Sequence, residues 1–249
     1  MRTKIEAVLT PIWLLALSIL VTIYLAWGFY YFDIDWMHLL DYVILGKTEL
    51  WHDFNILMQY LTFPWVGHLS MPDFTSSESG LKHFHDVKWL FHLVQGLVIL
   101  LAYPAVTSLW RNVKKGTFGL DVKWLFHLDQ GLGVLLAYPA ATSLWRNVKK
   151  GTFGLYRRLY MSLAVLPILI GVVGVFLGFD EFFTLFHEAL FPGDSSWLFN
   201  PILDPIINVL PEEYFLQCFV IFFIIYEGIM VSLTWLAHKQ LTMYLKNKE

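Results

Sequence analysis

Four long stretches of this chain are almost free of charged side chains, and each is bounded by charge. They cover residues 7–32, 89–110, 159–179 and 214–238, and only the last contains a carboxylate, Glu227. Each stretch reaches the roughly 20 residues that an α-helix needs to cross the hydrocarbon core of a membrane. The sequence therefore predicts an all-α polytopic membrane protein with four spanning helices.

The composition of the whole chain favours the same class. Of the 249 residues, 57% are hydrophobic, 18% are aromatic and 15% are charged, and the mean hydropathy is +0.57. These values exclude an ordinary water-soluble domain. The first apolar stretch ends in the bulky run GFYYF without a small-residue cleavage site, so we interpret it as a retained helix rather than a secretory signal. We expect one membrane domain over residues 1–249.

The charged residues are segregated along the chain. Residues 33–86 carry eight carboxylates against two lysines, and residues 180–213 carry seven carboxylates with no Lys or Arg. The segments 111–123 and 146–158 are basic, and each contains RNVKK. Because cytoplasmic loops of membrane proteins are enriched in Lys and Arg, we expect the acidic segments outside the cell and the basic segments inside. Both chain termini are then predicted to be cytoplasmic.

A tandem repeat complicates this topology. Residues 86–120 and 121–155 are near-copies that differ at four of 35 positions, and the changes in the second copy include Asp129 and Gly133. The repeat reflects either a recent duplication or an artefact of sequence assembly. Because both RNVKK segments are equally basic, we expect the second copy to enter and leave on the cytoplasmic side, as a re-entrant or interfacial segment. The alternative is a fifth spanning helix.

The acidic segment 33–86 is expected to form an exofacial cap. Residues 50–69 mix apolar and polar positions without the length to span, which is typical of short helices lying on a membrane surface. The polar, turn-rich stretch MPDFTSSESG follows, and GLKHFHDVKW then leads into the second spanning helix. This arrangement puts His83 and His85 near the outer end of that helix.

A third histidine, His187, lies in the other acidic segment, the exofacial loop 180–213. Histidine is the side chain whose ordinary pKa suits proton transfer near neutral pH. The fold could therefore bring His187 and a histidine of the HFH pair together at one membrane mouth. A metal site made of His83, His85 and Asp86 is the less favoured reading, because residues two apart lie on different faces of a helix and no His-Glu-x-x-His pattern occurs.

Several sequence blocks together resemble the lipoprotein intramolecular transacylases of low-GC Gram-positive bacteria. The blocks are SSESGLKHFHDVKWLF, then FHEALF, then WLFNPILDPIINVLPEEYF, in that order between the expected helices. The resemblance implies a four-helix protein of the plasma membrane with an exofacial cap. It implies an enzyme that moves the sn-2 acyl chain of a diacylglyceryl-modified lipoprotein onto the α-amine of its N-terminal Cys. It also implies two essential histidines, matched here to His83 and His187, with His85 as a contender for the first.

The chemistry of the residues is compatible with such a reaction. Acyl migration from an ester to an amine needs a base for the amine proton and a donor for the oxyanion and the leaving alkoxide. We expect His187 to be the base and His83 the donor. Supporting polar groups could hold the imidazoles in one tautomer, as a carboxylate does in a catalytic triad; the candidates are Asp86, Asp194, Asn200 and Asp204.

The expected partners are the lipoprotein substrate and membrane lipid. No cofactor and no metal is expected, because nucleophile and ester belong to one substrate, and no basic patch indicates nucleic acid. The alternative function is that of a non-catalytic membrane protein that binds or transports lipid or a small solute. A transporter would be expected to show inverted repeats and broken helices around a midplane site, whereas this chain has a direct repeat.

Overall fold

The computed structural model describes residues 2–114 and 157–246, and all regular structure in these two ranges is helical. The second repeat copy, residues 121–155, lies outside the described residues. The α-helices are α1 (Arg2–Trp36), α2 (Lys47–Thr62), α3 (Glu78–Lys114), α4 (Arg157–Leu177), α5 (Phe179–Leu190) and α6 (Glu212–Lys246). Short 3₁₀ turns cover Leu39–Tyr42 and Pro205–Val209.

Three helices contain segments long and apolar enough to cross a membrane: Pro11–Trp36 of α1, Glu78–Ala102 of α3 and Glu212–Ser232 of α6. The fourth predicted span coincides with α4, whose apolar part is the shorter Met161–Leu177. All of α4 has 21 residues, which at 1.5 Å per residue is about 32 Å. The all-helical membrane fold is thus confirmed, and the crossing by α4 stays a prediction.

Two helices differ in extent from the sequence prediction. Helix α3 begins at Glu78, eleven residues before the predicted start of the span at 89, so the histidines of the HFH pair lie inside the helix. The predicted exofacial loop 180–213 is partly helical, because nearly all of α5 falls within it. A run without charged residues identifies only the apolar part of a helix. The helix itself extends beyond that run, as far as its backbone hydrogen bonds continue.

Residues Ser18–Val94 and Leu166–Ile225 form one compact unit, and the remaining described residues form a second. In the second unit, the buried indole of Trp13 donates from Nε1 to the carbonyl oxygen of Val98 at 3.1 Å. Val98 is fully buried, and the position equivalent to it in the second repeat copy is Gly133.

The first unit has an aromatic core that joins its helices. Tyr30 of α1 stacks on Phe54 of α2 with ring centroids 3.6 Å apart, and Tyr214 of α6 meets both rings edge-on. The Tyr30 hydroxyl donates to the carbonyl oxygen of Val209 at 2.7 Å. One face of α2 is buried here, since Leu50, Phe54, Leu57 and Leu61 recur at helical spacing. The predicted short helices over 50–69 therefore correspond to one helix, and it packs against α1 and α6.

Candidate active site

The first unit brings His83 of α3 and His187 of α5 together. Their ring centroids are 5.9 Å apart, and the ring planes are inclined by 38°. His83 is only 5% exposed and His187 is half-buried. Two histidines that lie 104 positions apart in the sequence are thus neighbours in the fold, as the sequence analysis anticipated for the two acidic segments.

The start of α3, and with it the position of His83, is fixed by a distant carboxylate. Asp204 is 2% exposed, and its two oxygens accept hydrogen bonds from the backbone N–H and the hydroxyl of Ser77, at 2.7 and 2.8 Å. The Ser77 hydroxyl accepts in turn from the Gly80 N–H at 3.0 Å. Ser77 immediately precedes α3, where these interactions satisfy backbone donors of the first turn. Position 80 requires glycine, because a Cβ atom there would lie 2.3 Å from an Asp204 oxygen.

His187 lies in the last turn of α5, and α5 begins directly after Gly178. Gly178 has a φ of 89°, a value that favours glycine, and this residue separates α4 from α5. The Nδ1 atom of His187 lies 2.8 Å from the carbonyl oxygen of Phe183. A carbonyl oxygen can only accept a hydrogen bond, so Nδ1 carries the proton and Nε2 of the neutral ring holds the free lone pair.

Burial lowers the pKa of His187 below its ordinary value of 6.5, and the hydrogen bond to the Phe183 carbonyl opposes that shift. Burial has this effect because it disfavours the charged imidazolium. The neutral, proton-accepting form of His187 is therefore the dominant one at neutral pH. A half-buried imidazole with Nε2 as its basic atom can serve as a general base.

Aromatic rings surround both imidazoles. His187 contacts Phe183 at 4.1 Å between centroids and stacks on Trp197 at 4.8 Å with the planes 26° apart. Phe191 contacts both histidines, at 5.0 Å from His83 and 6.1 Å from His187, and Phe199 lies 5.5 Å from His83. Such walls exclude water and strengthen every polar interaction made inside them.

The Nδ1 atom of His83 is buried, and no hydrogen-bond partner lies near it among the described residues. Most buried polar side-chain atoms are hydrogen-bonded, so an unpaired one requires an explanation. The described part of the chain thus leaves one buried ring nitrogen of His83 without a partner, beside a second histidine.

His85 lies on the other face of α3. Its side chain is 58% exposed, its Nε2 accepts from the Trp89 indole at 3.2 Å, and its Nδ1 is 3.6 Å from a carboxylate oxygen of Asp86. The ring contacts of His187 in the described part of the chain include His83 and not His85. Of the HFH pair, the structure therefore brings His83 to His187. His83 and His85 diverge from each other along α3, and the described ranges contain no cluster of three potential ligand residues.

The four predicted supporting groups make other interactions. Asp194 pairs with Lys82 and accepts from the Ser196 N–H at 2.9 Å; the ammonium of Lys82 is the main reason that the pKa of Asp194 falls to about 2. Asn200 accepts from the Ile202 N–H at 2.9 Å. Asp86 lies 4.0 Å from the Lys82 ammonium and 3.6 Å from His85, and Asp204 binds Ser77, as described above.

The hydrogen bonds described for Asp86, Asp194, Asn200 and Asp204 go to groups other than His83 and His187, so the role of these four residues in holding the imidazole tautomers stays a prediction. Their acceptor atoms are used by nearby N–H groups, a hydroxyl and Lys82. For His187 the orienting acceptor is a backbone carbonyl, that of Phe183. The sequence analysis also passed over Lys82, Phe191 and Trp197, whose roles depend on contacts that no local motif reveals.

The fold and the site define a polytopic helical membrane protein with two neighbouring histidines packed among aromatic side chains. A sequence model of the family described as "Lipoprotein intramolecular transacylase Lit" matches residues 4–120 and 118–215. The chain therefore belongs to the lipoprotein intramolecular transacylase family and is an enzyme of the acyltransferase class. Family membership sets aside the alternative of a non-catalytic carrier. A comparison with curated proteins found no match.

Solved structures of the membrane integral lipoprotein intramolecular transacylase Lit from Bacillus cereus share the fold. One matches with a TM-score of 0.65 at 23% identity, covering 98% of this chain and 97% of the other. Two others are of variants in which a histidine was replaced. The arginine variant matches with a TM-score of 0.58 at 24% identity over 98% and 94% of the two chains. The alanine variant matches with a TM-score of 0.60 at 22% identity over 98% and 95%.

Proposed function

We propose that this protein transfers the sn-2 acyl chain of a diacylglyceryl-modified lipoprotein to the α-amine of the lipoprotein's N-terminal Cys, using His187 as base and His83 as hydrogen-bond donor. The observation that carries this proposal is the pair of imidazoles 5.9 Å apart, one buried and one half-buried, in which the half-buried ring has its tautomer set by a backbone carbonyl. Family membership supplies the reaction class, and the site geometry supports the division of labour.

The reaction begins when the amine nitrogen attacks the carbonyl carbon of the sn-2 ester. A carbon–nitrogen bond forms, and Nε2 of His187 takes the proton that the nitrogen must lose. His187 is suited to this step because its Nδ1 already donates to Phe183, so the nitrogen that remains is the basic one. Since nucleophile and ester belong to the same molecule, binding in the pocket gives the amine a high effective concentration.

His83 acts on the oxygen atoms. An N–H of its ring donates to the oxyanion of the tetrahedral intermediate and then to the departing sn-2 oxygen as the carbon–oxygen bond breaks. The departing sn-2 oxygen takes the proton that His187 accepted, while His83 keeps its own proton, so the products are an amide and an sn-2 alcohol and both imidazoles end neutral. Burial of His83 among Phe191 and Phe199 favours this role, because hydrogen bonds to a developing charge are stronger where water is excluded.

The site is proposed to face the outside of the cell. The acidic segments 33–86 and 180–213 hold His83 and His187, and the positive-inside rule disfavours a cytoplasmic position for either. A diacylglyceryl anchor is held in the membrane, and an exofacial pocket at its surface would meet both the ester and the N-terminal amine.

Fragmentation mass spectrometry of a lipoprotein N-terminus tests the proposal. Cells with this protein are compared with cells that carry the His83→Ala and His187→Ala double variant. Intramolecular transfer leaves the total mass of the lipopeptide unchanged and moves one acyl chain from a glycerol-bearing fragment to the cysteine nitrogen. A mass increase of one acyl chain would show a separate acyl donor, and an unaltered fragment pattern with the wild-type protein would exclude the reaction.

A further inference from the structure

Lys82 directly precedes His83 on α3, and its side chain is exposed whereas that of His83 is buried. Its side chain is 57% exposed, and its ammonium forms an ion pair with Asp194, which lies 112 positions later. The proposed chemistry makes no use of this pair. A second carboxylate, that of Asp86 one turn along α3, lies 4.0 Å from the same ammonium.

Asp194 is the centre of the segment that covers the two histidines, which we call the wall segment, residues 191–197. The Asp194 N–H donates to the Phe191 carbonyl at 3.1 Å, and one Asp194 carboxylate oxygen accepts from the Ser196 N–H at 2.9 Å. The segment begins with Phe191, which contacts both imidazoles, and ends with Trp197, which stacks on His187. Asp194 therefore organises the turn between the two aromatic residues.

Among the described residues, the ion pair between Lys82 and Asp194 joins the wall segment to the helix that carries His83. Phe191 and Trp197 pack against the imidazoles, and Lys82 pairs with Asp194 in the turn between these two aromatic residues. An exposed ion pair contributes little to global stability. It can nevertheless restrict where a short loop lies, and small displacements of groups around a reacting centre are costly in rate.

We propose that Lys82 is a positioning residue, which acts through Asp194 to hold the wall segment against His83 and His187. The inference rests on the proposed function, since it requires that this histidine pair performs the acyl transfer. Loss of the ion pair lets Phe191 and Trp197 move, which loosens the orientation of His187 and admits water. The effect falls on the chemical step rather than on substrate binding.

A double-mutant cycle tests this coupling with purified protein and a synthetic diacylglyceryl-cysteine lipopeptide in detergent micelles. The variants are Lys82→Gln, Asp194→Asn and the two combined. Asparagine keeps an oxygen that can accept from Ser196 and removes only the charge. We expect each single variant to lose about fivefold or more in kcat with little change in KM, and the double variant to be no worse than either single one. Lys82→Arg, which restores the charge, should recover most of the rate.

A matched control is available in the same unit. Lys47 pairs with Asp35 at 2.5 Å on another part of the molecule, and Lys47→Gln should leave kcat unchanged. The proposal is overturned if the two single losses multiply in the double variant, if Lys47→Gln loses as much as Lys82→Gln, or if Asp86→Asn rather than Asp194→Asn reproduces the Lys82→Gln loss. The proposal is also overturned if the loss of kcat in Lys82→Gln is accounted for by a lower thermal unfolding midpoint, since that result marks a purely structural ion pair.

The same assay separates this inference from the one on which it rests. His187→Ala measured in parallel should abolish activity. If His187→Ala were active, the proposed chemistry would fail; if it were inactive while Lys82→Gln kept the full rate, only the role of Lys82 would fail.

Discussion

The Nδ1 atom of His187 lies 2.8 Å from the carbonyl oxygen of Phe183, one turn earlier in the same helix. This contact does the work that a buried carboxylate does in a catalytic triad, because it fixes which ring nitrogen carries the proton. It differs in adding no negative charge to the site, so a neutral carbonyl stabilises the imidazolium less than a carboxylate would. A base that remains neutral until the substrate arrives suits the attack of an amine on an ester.

Replacing either histidine of the pair should eliminate activity. His187→Ala removes the proposed base and His83→Ala removes the proposed donor, so each variant should lose at least about 100-fold in conversion of a diacylglyceryl lipopeptide. Each should still insert into the membrane, because neither change alters the apolar runs. The measurement is the fraction of N-acylated product by fragmentation mass spectrometry, normalised to the membrane-inserted protein.

His85→Ala is the matched control for this experiment. It removes an exposed imidazole only two positions from His83, and its contacts are with Trp89 and Asp86 rather than with His187. We expect conversion within about threefold of the wild type, since surface substitutions away from a site have small effects. An inactive His85→Ala together with an active His83→Ala would reverse the assignment of the HFH pair.

The pH dependence of kcat/KM should report the environment of His187. The attacking amine must be neutral, so the rate should fall with a slope of one below the amine's pKa of about 7.7–8.0. In a plot of log(kcat/KM) against pH, the slope should steepen to two only below pH 6.5, where His187 also becomes protonated. Burial lowers the pKa of His187 from that value. A second break above pH 6.5 would contradict the role of a buried base.

The same shift predicts a direction for stability. Above pH 6.5 both the folded and the unfolded states hold His187 neutral, so this group makes no difference. As the pH falls from 6.5 to the lowered folded-state pKa, the unfolded state binds the proton more tightly, and the contribution of His187 to the free energy of unfolding declines. The difference between the thermal unfolding midpoints of the wild type and His187→Ala should therefore be constant above pH 6.5 and should shift against the wild type as the pH falls below that value.

Gly80→Ala should destabilise the protein, because the added Cβ would lie 2.3 Å from an Asp204 oxygen. Asp204 can move aside only by releasing Ser77, and leaving such buried polar groups unpaired costs about 1–3 kcal/mol. The expected result is a lower thermal unfolding midpoint in detergent, with reduced activity because the start of α3 positions His83. Gly96→Ala is the control in the same helix. No atom lies within 4 Å of a Cβ placed there, so this variant should be neutral or slightly more stable.

The sequence alone predicts the spanning helices, because their signal lies within one continuous run of residues. Charge-free runs identify helices that must be buried in lipid, and these runs coincide with α1, α3 and α6. Placing His83 and His187 in two acidic segments on the same predicted side of the membrane was enough to suggest that they meet. The family resemblance then supplied a reaction that two histidines could perform.

The supporting interactions could not be predicted, for two physical reasons. The acceptor that sets the tautomer of His187 is a backbone oxygen, and every residue has one, so the residue type of Phe183 carries no signal. Asp204 and Asp194 reach partners 127 and 112 positions away, and only the packed fold shows which N–H or ammonium each carboxylate meets. A sequence shows which loop residues are polar, but the partners of those residues depend on tertiary structure.

Chelators should not inhibit the reaction. Proton transfer by two imidazoles needs no metal, and His83 and His85 lie on different faces of α3, so they do not ligate one ion together with Asp86. We expect purified protein treated with EDTA to convert a diacylglyceryl lipopeptide at the untreated rate. Loss of activity with EDTA and its recovery on adding zinc would require a metal-assisted mechanism instead.

The remaining prediction concerns the second repeat copy, residues 121–155. Its flanking basic segments are equally positive, so both should stay cytoplasmic and the copy should dip into the membrane and return. Asp129 in the middle of its apolar run would cost roughly 2.5–3.5 kcal/mol in a full crossing. Single cysteines at positions 148 and 195, in a Cys218→Ser background that removes the chain's only cysteine, test this topology with a membrane-impermeant thiol reagent.

In intact cells, the cysteine at position 195 should react and the cysteine at position 148 should be protected, and permeabilisation should expose position 148. The Cys218→Ser background must itself be active, so that the labelled topology is that of a working enzyme. The opposite pattern would mean that residues 121–155 span the membrane and that the segment carrying His187 faces the cytoplasm. Because one pocket cannot draw its two histidines from opposite sides of a membrane, that result would also contradict the pairing of His83 with His187.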